Sequence, residues 1–160
     1  MECVLVPILG NHDENMLEAR TGGERLRNWL RVGGDAALAS YGKKATVADM
    51  PAAHFAFLEG CLSYHETDTH VFTHGNYDPK LPFDLQNERT LRYLSLRNSV
   101  PGPHCSGKIV VVGHTNQKEV LNLGHLLCID TGCCYGRKLT AYDVEEQRLW
   151  QIAAQRASTT

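Results

Sequence analysis

The sequence predicts an α/β fold from three observations: short apolar runs of strand type, helix-type segments between them, and histidines placed where the runs end. The runs are "CVLVPIL", "HVFT", "KIVVVG", "LLCID" and "KLTAYDV", most of them bounded by Gly, Asn or Asp. Short, continuous apolar runs of this kind suit strands that are largely buried. With 160 residues the chain can bury roughly 70% of the surface its unfolded form exposes. One domain over residues 1–152 is therefore expected, with a flexible tail over 153–160 whose sequence, "AAQRASTT" from its first residues on, carries no pattern.

Each element has a local reason. Asn15 to Leu30 and Asp35 to Tyr41 carry helix-type patterns, and Pro51 to Glu59 opens on a proline suited to a first helical turn and stops at Gly60. Asn87 to Arg97 is again helix-like and runs into "SVPGPHCSGK", a Pro/Gly loop. The end, "KLTAYDVEEQRLWQI", is two alternating runs about Glu-Glu-Gln, the pattern of a hairpin.

Charge and cysteines narrow the function classes. A formal net charge of −2 and a pI near 6.4 give no basic field for non-specific nucleic-acid binding. The cysteines Cys3, Cys61, Cys105, Cys128, Cys133 and Cys134 form no CxxC pair and sit mostly in apolar runs, which suits a reducing compartment. "CVLVPIL" has no basic leader and is too short to span a bilayer, so a cytoplasmic protein without membrane contact is expected.

Three histidines share one address. His12 follows "PILGN", His74 follows "HVFT" and His114 follows "KIVVVG". Loops at the carboxyl ends of strands in open α/β sheets converge on the ligand crevice, so these imidazoles can meet although they lie far apart in sequence. Asn11 adds a carbonyl oxygen, and a nitrogen and oxygen set without thiolate suits Mn, Fe or Zn in a catalytic role. His54, His65, His70, His104 and His125 lack this setting and are expected to be structural or surface residues.

"GNHDE" (Gly10 to Glu14), "FTHG" (Phe72 to Gly75), "VVGHT" (Val111 to Thr115) and "IDTGCCYGRKLTAYDVE" (Ile129 to Glu145), in this order, resemble the later motifs of the calcineurin-like metallophosphoesterases. The similarity is greatest to the bacterial serine/threonine protein phosphatase type, to which diadenosine tetraphosphatases are related, and "GGDAALASYG" and "PGPHCSGK" extend it over nearly the whole chain. The resemblance implies a two-sheet sandwich flanked by helices (α/β/β/α). It implies Asn11, His74 and His114 as ligands of one metal of a two-metal centre, and His12 as the general acid that protonates the leaving oxygen. Asn116, where nuclease-type members carry a second histidine, favours the phosphatase type.

The family's opening motifs, GDxHG and GDxxDRG, do not occur in the sequence. They supply the other metal's ligands, the bridging carboxylate and the aspartate that orients the acid. The resemblance thus implies the carboxyl-terminal portion of such a domain, without its first strands, in a gene fragment or a chain begun at a misplaced start. Three neutral ligands compensate a divalent cation weakly, so at most one metal, little hydrolysis by this chain alone and self-association through an exposed edge are expected. The substrate implied is a phosphorylated protein or small phosphoester. The rival readings are a dinucleoside polyphosphate hydrolase and a non-enzymatic pseudophosphatase binding module.

Other signals carry less. Leu9 stands where relatives place a phosphate-gripping arginine, and Arg137 and Lys138 are expected to be surface charges rather than its replacement. Asp13, Asp78 and Asp130 are expected in caps, turns or strand ends, and Tyr77 suits a turn before Pro79 at least as well as a substrate contact. "GPHCSGK" lacks the Ser/Thr and the following helix of a P-loop. Cys133 and Cys134 are expected as core or loop thiols, and Trp29 and Trp150 as packing aromatics.

Overall fold

The computed structural model describes residues 4–155, and the chain divides into two compact units, Met1–Leu62 and Ser63–Thr160.

The first unit is helical. Over its described residues, 4–9, the apolar opening run does not form a strand: Val4 and Leu5 are exposed, and Ile8 makes a lone parallel bridge to Leu62. Leu9 donates to the Leu62 carbonyl (2.8 Å) and Pro7 accepts from the Leu62 N–H (2.9 Å). A strand needs a partner along its length, and among the described residues of the run only this one exchange is made. Helix α1 (Asn11–Ala19) starts at once, because Gly10 is extended (φ −92°, ψ 168°) and its N–H donates to Asp13 Oδ2 (2.9 Å). Asp13 and Glu14 in the first turn suit the positive end of the helix dipole.

The expected helix over Asn15 to Leu30 is therefore two. Gly22, at φ 73°, breaks it, and α2 (Gly23–Trp29) follows. The chain kinks at Val32 and Gly33, then forms α3 (Asp35–Ala39). Gly34 lies against the Trp29 indole, where an added Cβ would stand 2.4 Å from the ring. After Pro51, α4 (Ala52–Glu59) stops at Gly60 as the sequence predicts. Ala19, Trp29, Met50 and Phe55 are the buried core, ringed by half-buried Met16, Leu17, Leu26 and Tyr41 among others.

The second unit holds a five-stranded sheet, β1 (Tyr64–Glu66), β2 (His70–Thr73), β3 (Ile109–Val112), β4 (Leu121–Asn122) and β5 (Leu126–Cys128), in the order β1-β2-β3-β5-β4. The three inner strands are parallel and the two short outer ones antiparallel. β2, β3 and β5 are the Val- and Leu-rich runs, and Val71, Val110 and Leu126 are fully buried. Helix α5 (Glu88–Tyr93), capped by the Asn87 side chain on Arg89 N–H, is shorter than the expected Asn87 to Arg97. It ends because Leu94 is extended and the Leu96 N–H goes to Thr115 Oγ1 (2.8 Å). The hairpin appears as β6 (Lys138–Asp143) and β7 (Arg148–Ala153), tied to the loop after β5 by Thr131 Oγ1, which donates to the Lys138 carbonyl (2.7 Å).

Two expectations are corrected here. Trp150 does not pack inside: it is 49% exposed, with the Arg148 guanidinium 5.7 Å from its ring centroid. The start of the expected tail is held, since Ala153 closes β7 and the Ala154 N–H donates to the Arg137 carbonyl (2.7 Å). Residues 156–160 of that tail, and Cys3, lie outside the described residues. The five described cysteines are free, and among the described residues no helix is long and apolar enough to cross a membrane.

Candidate functional site

In the second unit, His74 directly follows β2 and His114 lies two residues beyond β3. The register sets Phe72 opposite Val111, so both chains leave the sheet side by side. The Gly113 N–H donates to the His74 carbonyl (2.9 Å) and locks the two loops together. The imidazoles meet edge to face, with centroids 5.2 Å apart and planes at 61°.

Their placement depends on a tight backbone. Gly75 N–H donates to the Leu91 carbonyl (2.5 Å), and a Cβ on Gly75 would stand 2.9 Å from that oxygen, so no larger residue fits without movement. His114 sits in the left-handed region at φ 58°, a conformation that costs a non-glycine residue about 1–3 kcal/mol and that clusters at functional sites. Thr115, buried behind it, fixes the turn: its Oγ1 accepts from Leu96 N–H and lies 3.0 Å from Ser95 Oγ. His114 Nε2 is 3.0 Å from the Tyr93 carbonyl. A carbonyl only accepts, so Nε2 carries the proton in this bond.

Helix α5 was given no part in the site by its sequence, yet it brackets both loops with carbonyl oxygens. Leu91 accepts from Gly75, Thr90 from Asn76 and Tyr93 from His114. Every residue has a carbonyl, so no side-chain pattern announces such a role; the Glu88–Arg92 spacing, which forms an ion pair, signals only a helix.

Asn11 and His12 open α1 in the first unit, Asn11 half-buried and His12 exposed. The sequence sets His12 in a loop after a strand; it occupies a helix's first turn instead, because the Gly10 cap starts the helix immediately.

The carboxylates behave as expected of structural groups. Asp13 accepts from Gly10 N–H, Asp78 from Lys80 N–H (2.9 Å) and Asp130 from Gly132 N–H (2.9 Å). Lys138 pairs with Glu119 (2.8 Å) and Arg137 reaches the Gln117 carbonyl (3.4 Å). Tyr77 is buried, its hydroxyl donating to the Gly102 carbonyl (2.9 Å), and burial pushes its pKa up to about 12. It is a structural residue rather than a substrate contact. Burial likewise pushes the Cys128 thiol up to about 11.

The donor chemistry of the pair fits part of a cation site. Two oriented imidazoles suit Mn, Fe or Zn. Among the described residues, however, no group of three or more His, Cys, Asp and Glu side chains is arranged to hold an ion. Catalytic zinc sites use three protein ligands, so the pair needs at least one more donor.

Comparison with known proteins adds two similarities. The chain is 42% identical over 45 residues to the asymmetrical bis(5'-nucleosyl)-tetraphosphatase PrpE of Oceanobacillus iheyensis. That stretch is 28% of this chain and 18% of the relative's length. The fold is similar to a crystal structure of a provisionally assigned diadenosine tetraphosphatase, with a TM-score of 0.66 and 18% sequence identity. That similarity covers 95% of this chain and 69% of the other, and it shows that the chain has the α/β fold of that structure. No protein-family model matches the chain.

Proposed function

We propose that the chain carries the histidine loops of a metallophosphoesterase-type hydrolase acting on small phosphoesters, with dinucleoside polyphosphates as the favoured substrate class. The observation that carries this is the edge-to-face His74–His114 pair at the ends of adjacent parallel strands, its backbone held by Gly113 and α5. The order of the sequence motifs and the two tetraphosphatase relatives support the same class. A protein phosphatase substrate rests on the motif resemblance alone, which makes it the second reading.

In this reading His74 and His114 hold the cation through ring nitrogens, and the motif resemblance assigns Asn11 as a further ligand. When bound, the cation would polarise a phosphoryl oxygen and lower the pKa of water. His12, exposed on the first turn of α1, protonates the leaving oxygen, a role typically worth a factor of about a hundred or more. The Tyr93 carbonyl fixes the His114 tautomer, as the outer partners of ligating histidines do. All three donors are neutral, so we expect the chain to hold one ion at most, and weakly.

The test is Mn²⁺ binding by calorimetry, together with hydrolysis of diadenosine tetraphosphate, p-nitrophenyl phosphate and a phosphopeptide. The purified chain is compared with its His74→Ala and His114→Ala variants. We expect weak Mn²⁺ binding, lost in both variants, and slow turnover that favours the dinucleotide. Binding that survives both substitutions, or no binding by the parent chain, overturns the reading.

A further inference from the structure

The first unit contains a cleft of about 220 Å³ lined by Asp13 and Met16 of α1, Tyr41, and His54, Phe57 and Leu58 of α4. Its construction follows from helical spacing. Asp13 and Met16 are three apart on α1, and His54, Phe57 and Leu58 stand at i, i+3 and i+4 on α4, so each helix turns one face toward it. Two aromatic walls are held in place. The Tyr41 hydroxyl and His54 Nδ1 lie 2.7 Å apart, with ring centroids separated by 5.6 Å. Phe57 is 53% exposed, although its neighbour Phe55 is buried in the core and covered by the Arg20 guanidinium at 4.8 Å.

An exposed aromatic ring beside an oriented tyrosine and histidine offers flat apolar surface with polar edges. The Asp13 carboxylate, which already accepts from Gly10, has lone pairs for a further donor. A planar heterocycle carrying an exocyclic amine matches this set: it stacks on the rings and donates to the carboxylate. The cleft is too small for a drug-sized ligand and is scaled to one ring system.

Two placements identify the rest of the ligand. Asp13 immediately follows His12, and Met16 lies about one helical turn, roughly 5.4 Å, further along the same helix. A base seated there is a short span from the candidate acid, the span a ribose would bridge. Lys43 and Lys44, both exposed, follow Tyr41 on the turn closed by the Ala45 N–H to the Gly42 carbonyl (3.1 Å), and they put positive charge on that loop.

We propose that this cleft is a nucleobase subsite that takes a purine nucleoside of the substrate and sets specificity for nucleotides over simple phosphoesters. The choice of a nucleotide rests on the hydrolase reading above, whereas base binding by the cleft does not require hydrolysis.

The experiment is saturation-transfer NMR of the full chain with adenosine, which carries no phosphate, using Phe57→Ala, Tyr41→Phe and, as a control in the other unit, Tyr135→Ala. We expect weak adenosine binding that Phe57→Ala weakens about tenfold or more, in line with the loss of a stacking partner. Tyr41→Phe should weaken it less, and Tyr135→Ala should leave it unchanged. Circular dichroism on each variant confirms folding. Adenosine binding with no metal-dependent hydrolysis would support the subsite and count against the hydrolase reading. Hydrolysis of diadenosine tetraphosphate without adenosine binding, or binding untouched by Phe57→Ala in a folded variant, overturns the subsite.

Discussion

The two units hold their candidate residues by different means. In the second, His74 and His114 leave adjacent interior strands, and their loops are fastened by backbone hydrogen bonds to each other and to α5. Beneath them Val71, Val110 and Leu126 are completely buried. In the first, Asn11 and His12 begin a nine-residue helix whose start depends on one local carboxylate, above a core in which half-buried side chains outnumber buried ones. The difference teaches that one set of side chains is positioned by long-range pairing and the other by a local cap.

The sharpest way to break this contrast is core truncation. Leu126→Ala should cost near the upper end of the about 2–5 kcal/mol range for buried large-to-small changes, because rigid strands cannot collapse into the void. Met50→Ala, among partly exposed neighbours, should fall near the lower end, and equal costs in urea unfolding would undo the comparison. Next in size, Gly75→Ala forces the Leu91 carbonyl aside and should cost about 1–3 kcal/mol while displacing the His114 imidazole resonance in NMR spectra. A resonance unmoved by this change would mean that α5 does not bracket the pair.

The last effect is alkaline and confined to high pH. Tyr77 and Cys128 have folded-state pKa values raised by burial to about 12 and about 11. Their neutral forms are favoured in the folded state, so that stability is intact below their ordinary values, near pH 9–10, and declines as pH rises toward 11–12. Tyr77→Phe should flatten the tyrosine share of this decline in pH-dependent denaturation curves; an unchanged slope would show that the phenol is not the cause.

Much of the second unit was legible because a parallel sheet writes itself into sequence as unbroken apolar runs. "HVFT", "KIVVVG" and "LLCID" became β2, β3 and β5, and the histidines after the first two were visible by position alone. The short strands β1 and β4 were not, since Tyr64–Glu66 and Leu121–Asn122 have no run of their own and exist by pairing with a stronger neighbour. "CVLVPIL" failed in the opposite sense: its composition suits a strand, but among its described residues only Leu62 pairs with it. The orientation of the site was hidden for a related reason, because it is written in the carbonyls of α5 and in the left-handed turn at His114.

The two brief outer strands have a consequence for the tempo of the molecule. With three residues in β1 and two in β4, fraying begins at the margins of the sheet and must pass through them before it reaches β3. Amide protons of Val110 to Val112 should therefore exchange with solvent among the slowest in this unit, and those of the margins among the fastest. The strand that leads to His114 keeps time with the slowest opening of its sheet.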